Sequence, residues 1–478
     1  MRNPLTVAVL AALLTACAVG PNYVRPTPDA PAHFVRAETA DAAATVHVDN
    51  AFWESLDDPQ LSALIEQTLS ANHDLRIALS RYDAANALLR GAKFDRLPTL
   101  TAQANATDSR LSADQAPGIA RDDRDGKSYD ASVQLGWELD LFGRVRRNVE
   151  AHRADTDALA ADLQALQISL VAEVANDYVT LRGLQERLQV SQQTANSQAD
   201  TLRLVDSGLA AGRGTEFDSA RARAQLETTS AQVPALQTQI AIIEHRLAVL
   251  SGQPPGALVA ELDAQKPLPT LPVAIDAGTP GELLRRRPDI AAAEFRLHAA
   301  TARIGVATAD LFPRFTLGGL LGTQAIDRGA LFERDSETRV VALGVDWSFL
   351  DVGRVRARIA ATNADAAGDL ARYEQAVLLA LEDTENALVR YGKARAEDHY
   401  LQLAAADSTR AAELARTRYD AGVGTLLEVL DAQRNALQAQ DALAQGRTRS
   451  LTGLVELFRA MAGGWPTKLP SRERVVER

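Results

Sequence analysis

The chain contains very little cysteine and few aromatic residues. Cys17 is the single cysteine among 478 residues, so no disulfide bond can form within the chain. Aromatic residues make up only 5% of the sequence, whereas hydrophobic residues as a group make up 46%. This balance favours long, closely packed helices over a large aromatic core. The net charge of -11 lacks the basic footprint of a nucleic-acid-binding protein, so we expect no nucleic-acid partner.

Signals for catalysis and for membrane helices are also missing. The seven histidines are scattered, and the sequence contains neither an HExxH pair nor a Gly-x-Ser-x-Gly elbow. Gly126-Lys127-Ser128 ends like a P-loop, but Arg121 stands where that motif needs a glycine. We therefore predict no enzyme, no metal and no cofactor other than a covalent lipid. After the N-terminus no segment approaches the roughly 18 uncharged apolar residues of a transmembrane helix, so strands would have to make any membrane crossing.

The first seventeen residues read as a bacterial export signal. Arg2 supplies positive charge, residues 5–14 are apolar, and Leu-Thr-Ala-Cys17 follows, which resembles a lipobox. The apolar run is too short to span a membrane. We predict a signal peptide over 1–16 and a lipidated segment over 17–58 that begins at Cys17. By resemblance to sorted lipoproteins, Ala18 favours the outer membrane.

The two halves of the chain repeat one plan. Trp137, Gly143-Arg144-Val145-Arg146 and Gly212-x-Gly214-Thr215 recur as Trp347, Gly353-Arg354-Val355-Arg356 and Gly422-x-Gly424-Thr425, each 210 residues later (347 − 137). The segment from Asp74 to Pro98 recurs 215 residues later, from Asp289 to Pro313 (289 − 74). This period is far longer than that of a solenoid, which indicates a duplicated domain.

Four segments alternate apolar and polar residues with a period of two, which is typical of strands with one apolar face. The clearest is 129–141, its counterpart in the second half is 341–350, and 99–107 and 315–323 alternate more weakly. Strands of outer-membrane barrels have this pattern, although two hairpins on a soluble core would also show it. Four strands cannot close a barrel, so strands in lipid would have to be shared by several copies.

The remaining sequence predicts long amphipathic helices, because apolar residues recur every three or four positions. The predicted fold is mostly α with a small β part: a long antiparallel helical barrel and four strands per chain, in two tandem repeats. Helices over 61–93 and 282–312 precede the strands. The predicted order is repeat 1 over 59–255 (long helix 144–207, return helix 215–250), a linker over 256–281, repeat 2 over 282–465 (long helix 354–420, return helix 425–461) and a tail over 466–478.

Several motifs together resemble the outer-membrane efflux factor family, the TolC- and OprM-like channels, in its lipoprotein branch. They are Cys17-x-x-Gly20-Pro21-x-Tyr23, Trp137-Glu138-Leu139-Asp140-Leu141-Phe142-Gly143-Arg144, Arg286-Arg287-Pro288-Asp289-Ile290, and Arg418-Tyr419-x-x-Gly422 with Leu430-Asp431-Ala432-Gln433-Arg434. The resemblance implies a homotrimer with a shared twelve-stranded barrel in the outer membrane and a periplasmic helical tunnel. It also implies a periplasmic adaptor (membrane fusion) protein and an inner-membrane efflux pump as partners.

The function that this resemblance implies is passive exit of small molecules such as drugs and toxic compounds. The energy would come from the pump. The alternatives are the outer-membrane duct of a type I protein secretion system and a lipid-anchored coiled-coil scaffold without a pore.

Candidate site residues lie at the predicted helix tips and on the strands. The resemblance implies a periplasmic gate formed by Leu427, Asp431, Tyr419, Glu428 and Glu216. The adaptor-docking tips would be Gly212, Gly214, Thr215, Gly422, Gly424 and Thr425, which could equally be simple helix ends. Leu427 and Asp431 are one helical turn apart, so three copies would give an apolar plug and a ring of carboxylates. Gly424 stands where some family members have an arginine, which removes one inter-helix gate link.

Acidic residues on the polar face of the strands are candidates for the lumen of the pore. They are Asp130, Glu138, Asp140 and Asp346. In three copies they would form acidic rings that favour cations. The alternative is that they only solvate a wide pore whose walls are screened by salt.

Overall fold

The computed structural model describes residues 18–27, 31–35, 45–46, 52–269, 274–275 and 279–462. The predicted signal peptide, the lipidation site Cys17 and the predicted tail 466–478 lie outside these residues. We therefore treat the lipidated N-terminus below only through residues 18–27.

The two halves contain the same order of helices and strands. The first half contains α1 (Pro59–Ala71), α2 (His73–Phe94), β1 (Thr99–Arg110), β2 (Asp125–Leu139), α3 (Arg144–Ala210), α4 (Glu216–Ser230) and α5 (Gln232–Leu250). After α6 (Val259–Leu262), the second half contains α7 (Pro280–Arg286), α8 (Pro288–Ala309), β3 (Arg314–Ala325), β4 (Glu337–Asp346), α9 (Val352–Asp420) and α10 (Leu426–Met461). The predicted fold class, mostly helical with four antiparallel strands in two repeats, is confirmed.

The chain divides into two compact units, each of which takes segments from both halves. The first unit comprises residues 1–27, 81–160 and 292–374, and the second comprises 28–80, 161–291 and 375–478. The first unit contains the four-stranded sheet, in the order β1-β2-β3-β4 with every neighbouring pair antiparallel. The second unit is built from helices, with a two-residue parallel pair between 45–46 and 274–275.

The duplication is visible in matched contacts of the first unit. The indole Nε1 of Trp137 donates a hydrogen bond to the Arg96 carbonyl at 3.1 Å. The indole Nε1 of Trp347 donates to the Leu311 carbonyl, also at 3.1 Å. Leu311 is the residue 215 positions after Arg96 (311 − 96), so both offsets found in the sequence recur in one pair of equivalent bonds.

The strands differ from the sequence prediction at their ends. β2 begins at Asp125 and ends at Leu139, so Asp140 and Leu141 were wrongly placed in it. β4 runs from Glu337 to Asp346 rather than over 341–350. The hydrogen-bonded ladder between β3 and β4 ends at Arg314↔Asp346, and an isolated extension beyond that pair would leave backbone groups without a strand partner.

Three predicted helices are each divided in two by a local chemical cause. Asn72 separates α1 from α2, because its side-chain oxygen accepts hydrogen bonds from the amides of Asp74 and Leu75 at 2.9 and 3.1 Å. Arg287 separates α7 from α8, because a residue before proline avoids the helical region. Pro234 lacks the amide that would bond to the Ser230 carbonyl, where α4 ends.

The core of the second unit surrounds the middle of α3. Tyr178, Leu181 and Arg182 are fully buried there, as are Leu61 and Ile65 of α1. One 18-residue window of α3 is apolar enough by composition to cross a membrane, contrary to our expectation, but half of that window is buried inside the structure. Its low charge therefore fits helix packing within this unit.

Candidate functional site

Each long helix ends in the same tight turn, which brings together the predicted docking residues of its half. We name residues 212–215 the first tip and residues 422–425 the second tip. Gly212 and Gly422 have φ values of +70° and +74°, in the left-handed region that favours glycine. The Arg213 amide donates to the Gly208 carbonyl at 2.9 Å, and the Val423 amide donates to the Arg418 carbonyl at 3.0 Å. These are Schellman closures, which satisfy the last carbonyls of a helix.

The second glycine of each tip is required by close backbone approach. A Cβ atom on Gly214 would lie 3.2 Å from the Leu209 nitrogen, and one on Gly424 would lie 3.0 Å from the Tyr419 nitrogen. A side chain at 424 would therefore press on the last turn of α9. This agrees with the sequence-based inference that this chain lacks an arginine link at that position.

The threonine of each tip caps the following helix. Thr215 Oγ1 accepts a hydrogen bond from the Asp218 amide at 3.2 Å. Thr425 Oγ1 accepts one from the Glu428 amide at 3.3 Å, and the Glu428 carboxylate accepts one from the Thr425 amide at 3.2 Å. This reciprocal pair is a capping box. Glu428 thus has a structural partner in the chain, whereas Glu216 is exposed in the first turn of α4.

The predicted gate residues lie on the exposed face at the start of α10. Leu427 is 51% exposed, and Asp431, one turn later, is exposed and forms an ion pair with Arg434. Asp431 also accepts a hydrogen bond from the Asn435 side chain at 3.3 Å. The side chain of Tyr419 is half-buried, and its carbonyl accepts the Gly422 amide at 2.9 Å. The gate role of these residues remains a prediction.

The helices leading to the two tips are linked by polar side chains that sequence reasoning missed. The Gln225 side chain of α4 donates to the Leu430 carbonyl of α10 at 3.0 Å. Thr201 of α3 accepts from Arg416 of α9 at 3.0 Å and from Gln433 of α10 at 3.3 Å. Thr201 and Gln433 are buried. The available signal was polar residues at positions where the helical period requires apolar ones.

Two of the four predicted lumen acids are neutralised by arginines of the same chain. The Glu138 carboxylate accepts a hydrogen bond from Arg144 Nε at 2.8 Å. Asp140 accepts the amides of Val145 and Arg146 at 3.0 and 2.9 Å and forms an ion pair with Arg146 at 3.1 Å. Asp140 thus anchors the start of α3, and its prediction as a strand residue of the lumen is corrected.

The other two predicted lumen acids lie on strands. Asp130 of β2 accepts a hydrogen bond from the Asn105 side chain of β1 at 2.9 Å. Asp346 is the last residue of β4 and lies beside Arg314, Asp310 and Arg354, which line the same small cavity. Their role in ion selectivity remains a prediction.

Residues that follow Cys17 are bound against the first unit. The Val19 amide donates to the Phe142 carbonyl at 3.0 Å, between β2 and α3. Buried Arg147 donates to Asn22 Oδ1 at 2.6 Å. Gly20 has φ +87°, and a Cβ atom there would lie 2.5 Å from Gly305 Cα. The Gly20 of the lipoprotein motif is therefore needed both for its conformation and for the contact of two backbones.

The same segment continues along α8. The Tyr23 ring stacks on His298 with centroids 4.4 Å apart, and Arg25 pairs with Glu294 at 2.7 Å. Burial, followed by the charge of Glu294 and its hydrogen bond, raises the pKa of Tyr23. Residues 18–25 thus form a docked strap, which we call the N-terminal strap, whose first residue is the neighbour of the predicted lipidation site.

A second cluster missed by the sequence analysis is buried in the second unit. Arg182 is fully buried and donates to Gln60 Oε1 at 2.7 Å, to Gln185 Oε1 at 2.6 Å and to the Ala264 carbonyl at 2.8 Å. Its guanidinium carbon lies 4.9 Å from the Tyr178 ring centroid. The cluster ties α3 to α1 and to the segment after α6. It is structural, since every partner belongs to the packing of the unit.

Arg287 of the Arg-Pro-Asp motif organises a similar cluster. It pairs with Asp289 at 2.7 Å and Asp383 at 3.3 Å, and donates to the Ala460 carbonyl at 3.1 Å. Burial would raise the pKa of Asp289, but the hydrogen bonds and charge of Arg287 hold it below its ordinary value. The motif therefore joins α8, α9 and the end of α10.

Comparisons with known proteins give one consistent result. The family model described as outer membrane efflux protein matches residues 64–253 and 279–463. Outer membrane protein OprJ of Pseudomonas aeruginosa is 34% identical over 480 residues, covering 97% of each chain. The toluene efflux pump outer membrane protein TtgI of Pseudomonas putida is 30% identical over 469 residues, covering 95% of this chain and 96% of that protein. The solved structure of the outer-membrane channel OprN has a TM-score of 0.87 and 41% identity, covering 94% of this chain and 100% of that one.

Proposed function

The chain belongs to the outer membrane efflux protein family, and we propose that three copies of it form the passive exit duct of a tripartite efflux system. The protein is an outer-membrane component of efflux, as its relatives are. The proposal adds the number of copies, the partners and the cargo. It also includes the absence of catalysis, because a duct needs only a lumen, a gate and a docking surface.

The observation that carries the proposal is the open sheet. β1 and β4 are its outer strands, and no other strand of the described residues pairs with their outer edges. Backbone groups at an open edge cannot be satisfied in lipid. Three copies of four strands would give twelve, within the range of known barrels, whereas four strands alone cannot close one.

Exposed apolar side chains at the tips support a protein partner there. Phe217, Val423 and Leu427 are 71%, 71% and 51% exposed. Apolar side chains gathered on an exposed surface mark interaction sites. We propose that this surface docks a periplasmic adaptor protein, which links the duct to an inner-membrane pump. The pump supplies the energy.

The gate is proposed at Leu427 and Asp431. In a symmetric assembly around an axis, each copy would bring the same apolar side chain and the same carboxylate to the constriction. Three mutually repelling carboxylates favour opening, and the Arg434 ion pair within each chain would reduce that repulsion. Glu216, Tyr419 and Glu428 would support the closed arrangement from the same tips.

For the cargo we propose small organic molecules. The toluene efflux pump protein TtgI shares 30% identity over nearly its whole length, and the lipoprotein motif is intact here. A lipid on Cys17 would anchor the duct in the outer membrane. The N-terminal strap supports this placement, because it holds residues 18–25 in contact with the junction between β2 and α3.

Two measurements test the proposal. Electron microscopy of detergent-extracted protein should show three copies around an axis, and the protein should conduct ions in planar bilayers. A bacterial strain that lacks its own duct should recover tolerance to drugs or solvents when it receives this chain. A water-soluble monomer without conductance would point instead to a scaffold. Restored secretion of a protein toxin without restored drug tolerance would favour the type I secretion alternative.

A further inference from the structure

The internal duplication of this chain extends to the hydrogen-bond register of its sheet. β1 pairs with β2 so that Thr99 lies opposite Gly136. β3 pairs with β4 so that Arg314 lies opposite Asp346. Adding the two sequence offsets to the first pair gives the second pair (99 + 215 = 314 and 136 + 210 = 346). The two hairpins are therefore equivalent residue by residue.

The joint between the two hairpins has a counterpart only in a second copy of the chain. β2 pairs with β3 from Tyr129↔Ala325 to Leu139↔Phe315. The duplication converts β2 into β4 and converts β3, with the offset reversed, into β1. Leu139↔Phe315 thus becomes Phe349↔Leu100 (139 + 210 and 315 − 215), which joins the two outer edges of the sheet.

The ends of the strands show that this second joint is incomplete in a single chain. β2 continues for three residues beyond Gly136, its last partner in β1, because β3 pairs with Trp137, Glu138 and Leu139 on the other side. β4 ends at Asp346, the residue equivalent to Gly136. The three residues after it, 347–349, are those that the joint would pair. Trp347 and Phe349 are 52% and 61% exposed.

We propose that β1 of a second copy adds antiparallel to the outer edge of β4 in one defined register and extends β4 to Phe349. The proposal rests on the proposed assembly of several copies and specifies the contact between them. The register pairs residues whose numbers add up to 449: Phe349 with Leu100, Trp347 with Ala102, Val345 with Ala104 and Leu343 with Ala106 of the neighbouring copy.

The two faces of the sheet agree with this register. It sets the exposed apolar residues of β4 opposite Leu100 and the alanines of β1, so that large side chains meet mostly small ones. On the other face, Asp346 lies opposite Gln103 and Ser348 opposite Thr101. A slip of one residue would set Trp347 opposite Thr101 or Gln103 and mix the faces. A slip of two residues keeps the faces, and only the duplication argues against it.

The charges at the far end of the joint are compatible with it. Arg339 would lie opposite Arg110 of the neighbour, and like charges directly opposite each other repel. The Arg110 side chain, however, already forms an ion pair with Asp125 of its own chain. The apolar pairs therefore determine the register.

Cysteine cross-linking tests the register directly. Cys17 is the only native cysteine and is proposed to carry lipid, so two introduced thiols would be the only reactive ones. Leu343→Cys combined with Ala106→Cys forms the in-register variant, and Ala342→Cys with Thr107→Cys samples the adjacent pair. The slipped controls combine Leu343→Cys with Ala104→Cys or Asp108→Cys. All are oxidised in outer-membrane preparations, and covalent species are counted on non-reducing gels.

The expected result is covalent dimers and trimers in at least one in-register variant, formed at least about fivefold more than in either slipped control. Opposite residues place their Cα atoms about 4.5–5.5 Å apart, within disulfide reach, whereas diagonal neighbours are about 7–8 Å apart. Stronger cross-linking in a slipped control, or none in either in-register variant while the unoxidised proteins conduct ions, would overturn the register and leave the duct intact. Absence of both cross-links and conductance, in the wild type as well, would overturn the proposed function.

Discussion

Gly20→Ala should release the N-terminal strap from the first unit. Gly20 has φ +87°, and an added Cβ would lie 2.5 Å from the Cα atom of Gly305. Neither backbone can move far, because Gly305 is itself pressed by Arg147, whose Cγ lies 2.8 Å from the Cβ position of Gly305. Detachment of the strap is therefore the simplest way to relieve the contact.

The expected free-energy penalty is comparable with everything that holds the strap. A left-handed conformation costs an L residue about 1–2 kcal/mol, and overpacking typically costs about 1–3 kcal/mol, together about 2–5 kcal/mol. The bond from Arg147 to Asn22 contributes about 1.5–3 kcal/mol. The Tyr23–His298 stack contributes about 0.5–1.5 kcal/mol. The Arg25–Glu294 pair, with Arg25 59% exposed, contributes at most about 1 kcal/mol.

Hydrogen exchange of the peptide 18–27, measured by mass spectrometry on protein in lipid discs, reports this release. A penalty of about 2 kcal/mol should speed exchange of the Val19 amide about 30-fold, since about 1.4 kcal/mol corresponds to a factor of ten. Gly118→Ala is the matched control, because Gly118 has φ +85° but no described atom within 4 Å of its Cβ position. Exchange in Gly20→Ala that stays as slow as in the wild type would refute the reasoning.

Three further predictions concern the gate and the helical unit. Asp431→Ala should raise single-channel conductance in planar bilayers, because it removes a ring of carboxylates; an unchanged conductance would count against the gate. Arg182→Met should destabilise the second unit by about 3–5 kcal/mol, because it leaves buried acceptors unpaired; calorimetry should show a lower Tm. Burial, followed by the charge of Glu173, raises the pKa of Asp177 to about 6. Stability should therefore fall as the pH rises from about 4 to 6, and Asp177→Asn should remove that dependence.

Each of these variants has a matched control in the same chain. Glu413→Ala removes an exposed α9 carboxylate that is not among the proposed gate residues, and should leave the conductance unchanged. Arg372→Met removes an exposed arginine and should leave Tm nearly unchanged. For the pH series, Glu173→Gln should lower the pKa of Asp177 only in part, because desolvation is its larger cause. Above pH 6, after allowance for solvent screening, Asp177→Asn should be more stable than the wild type by about 1–2 kcal/mol; equal stability would contradict the shift.

The N-terminal strap gives the lipoprotein motif a structural meaning. Gly20 and Tyr23 were recognised in the sequence only as part of a family pattern. The structure shows that they make contacts with α8, and that Arg147 of α3 holds the segment between them. No local pattern could have indicated these partners, because Tyr23 and His298 are 275 residues apart (298 − 23).

The strand ends show where reasoning from sequence reaches its limit. Period-two alternation continues from Val341 through Trp347 to Phe349, so the pattern predicted a strand to the end of that run. In the structure β4 stops at Asp346, where its ladder with β3 stops. A strand is maintained by its neighbours, and the neighbour that would pair residues 347–349 is not part of the same chain.

The amino-acid sequence by itself determined the duplication, the fold class, the four strands and the glycine turns at the tips. Those features depend on residues within a few turns or strand lengths of each other, or on identical motifs at a fixed spacing. Only the tertiary structure decided that Glu138 and Asp140 are paired with arginines, that Arg182 is buried among Gln60, Gln185 and Tyr178, and that the strap is docked. These contacts mostly join segments far apart in the chain, and burial and electrostatics select them only once the helices and strands are packed together.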